Sequence, residues 1–151
     1  HGGAIVNMIA DISNGWPNFA HSGVSRGGML TLSESAASEW APAGVRVNTI
    51  APGAIASSGL DTYDAKDTEF IQQQVAREIP MNRFGTEAEV SAAIVFLLSQ
   101  AAAFITGTCI RVDGGAPNSR PIWGRIERTD ASKPFNGFHR SNAPAILAAI
   151  D

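Results

Sequence analysis

The spacing of apolar and polar residues changes several times along this chain, and each change marks an element. Residues 3–9, Gly-Ala-Ile-Val-Asn-Met-Ile, form a short apolar run of the kind found in parallel strands covered on both faces. Asp11 to Asn18 is turn-rich, with Gly15 and Pro17. From Ala20 to Ala41 the apolar residues Met29, Leu32, Ala36, Ala37 and Trp40 recur at helical spacing and predict one long helix with these on one face. Gly23, Gly27 and Gly28 each weaken that helix by about 1 kcal/mol relative to Ala, so their clustering implies close contact with a ligand, the sheet or another subunit. Pro42 and Gly44 end it. Val45 to Ile50 then predict a buried strand, stopped at Pro52-Gly53 because proline offers no ladder donor.

After a polar stretch around Tyr63, a helix is predicted over 67–79, with Pro80 as its stop. Thr86-Glu87-Ala88-Glu89 has the capping-box pattern and opens a helix with Val90, Ile94, Leu97 and Leu98 on its apolar side. Thr108 to Asp113 is the last strand, closed by Gly114-Gly115. The tail carries Trp123, Phe135 and Phe138 and is expected to be extended and draped over a surface, ending in a short apolar turn near 145–150. Strand, helix, strand, two helices, strand is an α/β alternation with parallel connections. In open sheets of that kind ligands sit beyond the carboxyl ends of the strands, which is where Pro52-Gly53 and the small residues up to Ser58 fall.

Composition narrows the class. A chain of 151 residues with 44% hydrophobic and 17% charged residues is long enough for one real core and has no run of transmembrane length. The net charge is −3, and residues 1–115 hold eleven acids against six Lys/Arg, so no nucleic-acid partner is expected. Cys109 is the only cysteine and lies among strand residues, which makes it a structural thiol rather than a nucleophile. No metal ligand set is singled out, and no membrane association is expected. Neither a secretory leader nor a terminal Ser-Lys-Leu is present, so the expected location is the cytoplasm. No strand–glycine turn–helix with a Gly-x-Gly pattern occurs, and that is the part which binds pyrophosphate. The chain therefore reads as the second half of a larger fold.

Four motifs in order carry a resemblance: Ile5-Val-Asn7, Ala36-Ala-Ser-Glu-Trp40, Gly44-Val-Arg-Val-Asn-Thr-Ile-Ala-Pro-Gly53, and Phe104-Ile-Thr-Gly107 with Val112-Asp-Gly-Gly115. Together they resemble the carboxyl half of short-chain dehydrogenase/reductases over residues 3–117. The resemblance implies an α/β fold, a Rossmann-type doubly wound parallel sheet of which only the second half is here. It divides the chain into a half-domain, 1–117, and an extended tail, 118–151. It also implies an oxidoreductase with a nicotinamide cofactor, NADP with NAD as the alternative, a missing amino-terminal half that completes the fold, and a homo-oligomer paired through the long helix.

The same resemblance places the site. The usual family pattern is a Ser followed by Tyr-x-x-x-Lys at the start of the long helix. Alignment puts Ser22 in the Tyr slot, His21 beside it and Arg26 in the Lys slot, while the Ser position falls on Ile9-Ala10, which have no hydroxyl. A serine hydroxyl is too weak an acid to replace a phenol near neutral pH, and Arg stays charged. A His-Ser-Gly-x-x-Arg variant is similar to the branch of trans-2-enoyl-CoA and 2,4-dienoyl-CoA reductases; bacterial citronellal-dehydrogenase-like proteins are similar as well. In that reading Ser22 donates to the enolate oxygen, Arg26 holds ribose hydroxyls and supplies charge, and His21 is a proton source. Pro52, Gly53 and Ile55 line the nicotinamide, and Ser57 takes the place of the family's Thr that bonds the carboxamide. Tyr63 falls in the substrate-loop region.

Each assignment has a second reading. Ser22 can simply cap the helix, Arg26 can bridge to a surface acid, and His21 can be an ordinary loop residue. Asn7 and Asn48 are expected to donate to neighbouring backbone. For function, the first hypothesis is reduction of an enoyl- or dienoyl-CoA double bond, with acyl-CoA as the small-molecule partner. The others are an alcohol or aldehyde dehydrogenase of terpenoid type, and a truncated fragment that lacks the cofactor-binding half and catalyses nothing alone.

Overall fold

Strand β2, Val45–Pro52, is the element around which the rest is arranged, with Val47 through Ala51 buried. β1, Gly3–Met8, pairs with it in parallel from Gly3↔Val45 to Met8↔Ile50. On its other side β5, Cys109–Val112, pairs in parallel from Thr49↔Cys109 to Pro52↔Val112. The computed structural model describes residues 2–64, 66, 69, 71–72, 78–119, 122, 124, 132–135 and 137. They fall into two compact units, residues 1–52 with 90–112 and residues 53–89 with 113–151. The three-stranded sheet, in order β1-β2-β5, belongs to the first unit.

Parallel neighbours need a crossover, and α1, Ala20–Trp40, supplies the one between β1 and β2. Its inward stripe is made of small residues. Ser33, Ala36 and Ala37 are buried, and the two alanines pack on Val47 with Val45 alongside. The helix face expected from apolar spacing is therefore corrected in part. Leu32 is 57% exposed, Trp40 44% and Met29 37%, because the small residues let the helix axis lie close to β2 and leave the large side chains outside. Asn7 Nδ2 on β1 donates to Ser33 Oγ at 2.9 Å, and Ser33 Oγ donates to the Met29 carbonyl at 2.7 Å. Asn7 thus bonds a side chain, where a bond to backbone was expected.

Among the described residues no close approach accounts for the helical glycines, since a Cβ fits at each. A methyl group on Gly23 would only just touch Trp16 Cβ at 4.0 Å, and one on Gly27 would touch Ile12 Cδ1 at 3.9 Å; around Gly28 nothing lies within 4 Å. The turn-rich stretch after β1 is what lies against the first turns.

The start of β2 is fastened on its other side to the last turn of the second long helix, α2, Glu87–Leu98, and to the segment that follows it. Arg46 Nη1 donates to the Leu97 carbonyl at 2.8 Å and Nη2 to the Ser99 carbonyl at 3.1 Å. A cation there satisfies the orphaned carbonyls and the negative end of the helix dipole together. Asn48 Nδ2 donates to the Ile105 carbonyl at 2.9 Å, and its Oδ1 accepts from the Thr108 amide at 3.2 Å, so Asn48 is the backbone partner the sequence predicts. Gly107, at φ 73°, takes the left-handed turn into β5 and donates to the Val47 carbonyl at 2.7 Å.

The second unit has its own small sheet. β3, Ile55–Ala56, pairs in parallel with β4, Gly85–Thr86. Ala56 and Phe84 are buried together, with Ala54, Leu60 and Ile71 against them. A Cβ on Gly85 would lie 2.7 Å from Ile55 Cδ1, the movable end of that side chain. The capping box forms as read: the Glu89 amide donates to Thr86 Oγ1 at 3.2 Å, and the Thr86 amide to Glu89 Oε2 at 2.9 Å. Arg83 adds a two-pronged pair, Nη1 to Oε2 at 2.9 Å and Nη2 to Oε1 at 2.7 Å. Burial pushes the Glu89 carboxyl up, but the Arg83 hydrogen bonds, the Thr86 and Phe135 amides and the Arg83 charge together hold it below its ordinary value. Of the helix predicted over 67–79, Glu69, Ile71, Gln72 and Glu78 are helical; positions 67, 68, 70 and 73–77 lie outside the described residues, as do Trp123, Phe138 and the turn near 145–150.

Two consequences are measurable. Gly28→Ala raises stability by about 0.5–1 kcal/mol, read as a higher urea midpoint, because the position is helical and sterically open. Since the folded pKa of Glu89 is lowered, its stabilisation is fully present above pH 4.5 and is lost as pH falls through the lowered value. The urea midpoint of wild type therefore exceeds that of Glu89→Gln at pH 7, and the gap narrows progressively below pH 4.5.

Candidate active site

Three of the expected site residues, His21, Ser22 and Arg26, stand on the opening turns of α1. Phe19 is the N-cap residue and uses no side-chain bond; the Ser22 and Gly23 amides donate to its carbonyl at 2.9 and 3.0 Å. Ser22 lies inside the helix, so the capping reading of its hydroxyl is overturned. Ser22 Oγ instead accepts a short hydrogen bond from Arg26 Nη1, one turn further on, and Arg26 Nη1 also reaches the Ser22 carbonyl at 3.4 Å. The Arg26 guanidinium lies over the Trp16 ring, 4.9 Å from its centroid. Trp16 is followed by Phe19 at 5.7 Å and Phe19 by His21 at 6.4 Å between ring centroids.

The structure brings Ser22 and Arg26 together and leaves His21 apart, exposed beside Phe19. Among the described residues Arg26 forms no ion pair with an acid, which removes the surface-bridge reading. Its Nε and Nη2 donate to no group among the described residues and fit a diol such as a ribose. A hydroxyl that accepts from a cation keeps its own proton to give, and a donor polarised in this way suits an oxygen on which charge develops. Tyr63, the sole tyrosine, is 56% exposed after the turn Ser58–Thr62. At the family's serine position Ile9 is buried and its amide donates to the Ile50 carbonyl at 2.9 Å.

β2 stops at the Pro-Gly segment as the sequence predicts, with Pro52 as its last residue, opposite Val112, and the Pro52 carbonyl accepting from the Asp11 amide at 3.1 Å. A missing donor does not exclude a residue whose acceptor is in use. In the second unit, Gly53 makes its close approach to the chain itself. A Cβ there would lie 2.8 Å from Asp113 Cα and 2.9 Å from Asp113 Cβ. Ile55 opens β3, half-buried. Ser57 is half-buried and extended at φ −130°, ψ 161°; its carbonyl accepts from Leu60 at 2.9 Å, while its hydroxyl caps no amide of the turn that follows. That hydroxyl has the chemistry to bond an amide edge.

Trp16 is the residue of this cluster that sequence reasoning passed over. It stands ten positions before Arg26 in a stretch without periodicity, so only the folded turn reveals that it carries the cation. Cys109 is half-buried in β5; burial first, then Glu34, push its thiol up against the opposing Arg111, so it remains protonated and structural.

A parallel sheet with crossover helices and a polar pair at the start of the long helix define the carboxyl half of a Rossmann-type oxidoreductase. Residues 1–117 match the family described as enoyl-(acyl carrier protein) reductase, and the chain belongs to the short-chain dehydrogenase/reductases, an enzyme family. It is 37% identical over 118 residues to the peroxisomal 2,4-dienoyl-CoA reductase of Danio rerio, covering 77% of this chain and 39% of that one. The solved citronellol catabolism dehydrogenase of Pseudomonas aeruginosa is 48% identical, with a TM-score of 0.63 over 77% of this chain and 43% of that one. A gluconate 5-dehydrogenase from Burkholderia cenocepacia, solved with NADP and tartrate, is 27% identical with a TM-score of 0.67, over 79% and 46%. The chain thus spans less than half the length of each. No helix among the described residues is long and apolar enough to cross a membrane.

Gly53→Ala is expected to destabilise the protein by about 1–3 kcal/mol, since its methyl group collides with the Asp113 backbone and not with a flexible side-chain end. The urea midpoint measures it, and the loss occurs without any ligand present.

Proposed function

We propose that this protein reduces the carbon–carbon double bond of an enoyl- or dienoyl-CoA, with NADPH as reductant. The observation that carries the reading is the Ser22–Arg26 hydrogen bond at the helix position where a carbonyl reductase needs a phenol. When bound, the cofactor would supply a hydride to the far end of the conjugated system, the β-carbon of an enoyl or the δ-carbon of a dienoyl thioester, and a proton would go to the α-carbon. Ser22 donates to the thioester oxygen, on which negative charge accumulates. Arg26 binds ribose hydroxyls through Nε and Nη2 and lends a fixed positive charge, with Trp16 holding its plane. His21, exposed on the first turn, is the proton source, reached through water. Pro52, Gly53 and Ile55 line the nicotinamide, and Ser57 bonds its carboxamide. NADP is favoured over NAD by its presence in the gluconate 5-dehydrogenase structure.

The sequence lacks the glycine pattern that binds pyrophosphate, so the cofactor half of the fold is a required partner and the 151-residue chain alone is inactive. The exposed Met29, Leu32 and Trp40 on α1 support a homo-oligomer paired through that helix, and the location proposed is the cytoplasm. A second reading, oxidation of a terpenoid alcohol or aldehyde, is favoured by the 48% identity to the citronellol catabolism dehydrogenase. The Ser22–Arg26 pair at the position of the phenol supports the first reading over this one.

Assayed together with its cofactor half, the protein is expected to oxidise NADPH with crotonyl-CoA or a dienoyl-CoA and not with ketones. Ser22→Ala lowers kcat by about 10²–10³, as loss of one oxyanion donor does elsewhere. Arg26→Ala raises the KM for NADPH as well as lowering kcat. Equal turnover of ketones, or full activity in either variant, rejects the assignment.

A further inference from the structure

We infer that the segment Ser132–Phe135 of the carboxyl-terminal extension is a strap that steadies the β3–β4 pair, and through it the Gly53–Ser57 loop. The extension lies beyond residues 1–117, which carry the family match, so this is a feature of the chain itself. Arg83 Nε donates to the Ser132 carbonyl at 3.0 Å and to Ser132 Oγ at 3.2 Å. Thr86 Oγ1 donates to the Phe135 carbonyl at 2.7 Å, and the Phe135 amide donates to Glu89 Oε1 at 3.3 Å. Pro134 restricts the strap beforehand, which lowers the entropy lost on docking.

The residues it grips are already at full use. Glu89 accepts from both prongs of Arg83, from the Thr86 amide and from Phe135. Thr86 Oγ1 accepts from the Glu89 amide while donating to the strap, so one hydroxyl joins helix start, strand and extension. Thr86 is half of β4, and β4 is the partner that holds Ile55–Ala56 just before Ser57. Two residues per strand is too short to persist in water unaided, so tertiary anchors decide whether it forms. The strap contributes such anchors on the β4 side.

The functional meaning, a Ser57 loop held ready for a nicotinamide, rests on the function proposed above; the mechanical statement does not. Hydrogen–deuterium exchange on the full chain tests it with Phe135→Pro, which removes the amide that bonds Glu89 and leaves the capping box and the Arg83–Glu89 pair intact. Exchange across 53–57 and at Gly85 should quicken roughly tenfold, while residues 90–97 keep their rates. Ser132→Ala should give a smaller change with the same pattern. Unchanged exchange across 53–57 overturns the strap, and so does equal acceleration in 90–97, which marks a general staple. In the protein assayed with its cofactor half, Phe135→Pro should weaken NADPH binding several-fold. An intact exchange response with unchanged NADPH affinity keeps the strap and counts against Ser57 as a cofactor contact.

Discussion

Everything in the first unit is positioned by the burial of β2 between two parallel neighbours. A strand covered on both faces and paired on both edges has no freedom to slip, because a one-residue shift would turn each inward side chain to the other face. Its two ends are fixed by polar groups: Arg46 and Asn48 reach the last turn of α2 and the segment after it, and the Pro52 carbonyl receives Asp11. That last bond brings the chain leaving β1 to the end of β2. From there Ile12 and Trp16 come to lie along the first turns of α1, within reach of Gly27 and Arg26.

The chemistry follows from that placement. The Arg26 guanidinium lies over an aromatic ring and has one prong engaged by a serine hydroxyl. Such a pair is a poor proton donor and a good electrostatic one. Reduction of a polarised alkene places charge on a distant oxygen and needs the second property more than the first, whereas carbonyl–alcohol exchange needs a group that gives up its proton.

The second unit is organised by a carboxylate. Glu89 is at once the return arm of a capping box, the partner of Arg83 and the acceptor for the extension, so local helix initiation and long-range tethering share one group. Concentrating these bonds on one ionised side chain makes the region cooperative, and its lowered pKa is the thermodynamic record of that.

What the sequence by itself determined is whatever depends on neighbours a few residues apart. The alternation of strands and helices, the long helix from Ala20, the Thr86–Glu89 capping box and the role of Asn48 were all readable from local pattern. The family motifs likewise carried the Rossmann-type class. Only the tertiary structure decided which stripe of α1 turns inward, since the small Ser33, Ala36 and Ala37 win that place by permitting close approach and not by hydrophobicity. It alone put Trp16 under Arg26, Gly53 against Asp113 and Phe135 on Glu89. Those contacts join segments with no shared period, and their energy exists only once the backbone has closed the distance between them.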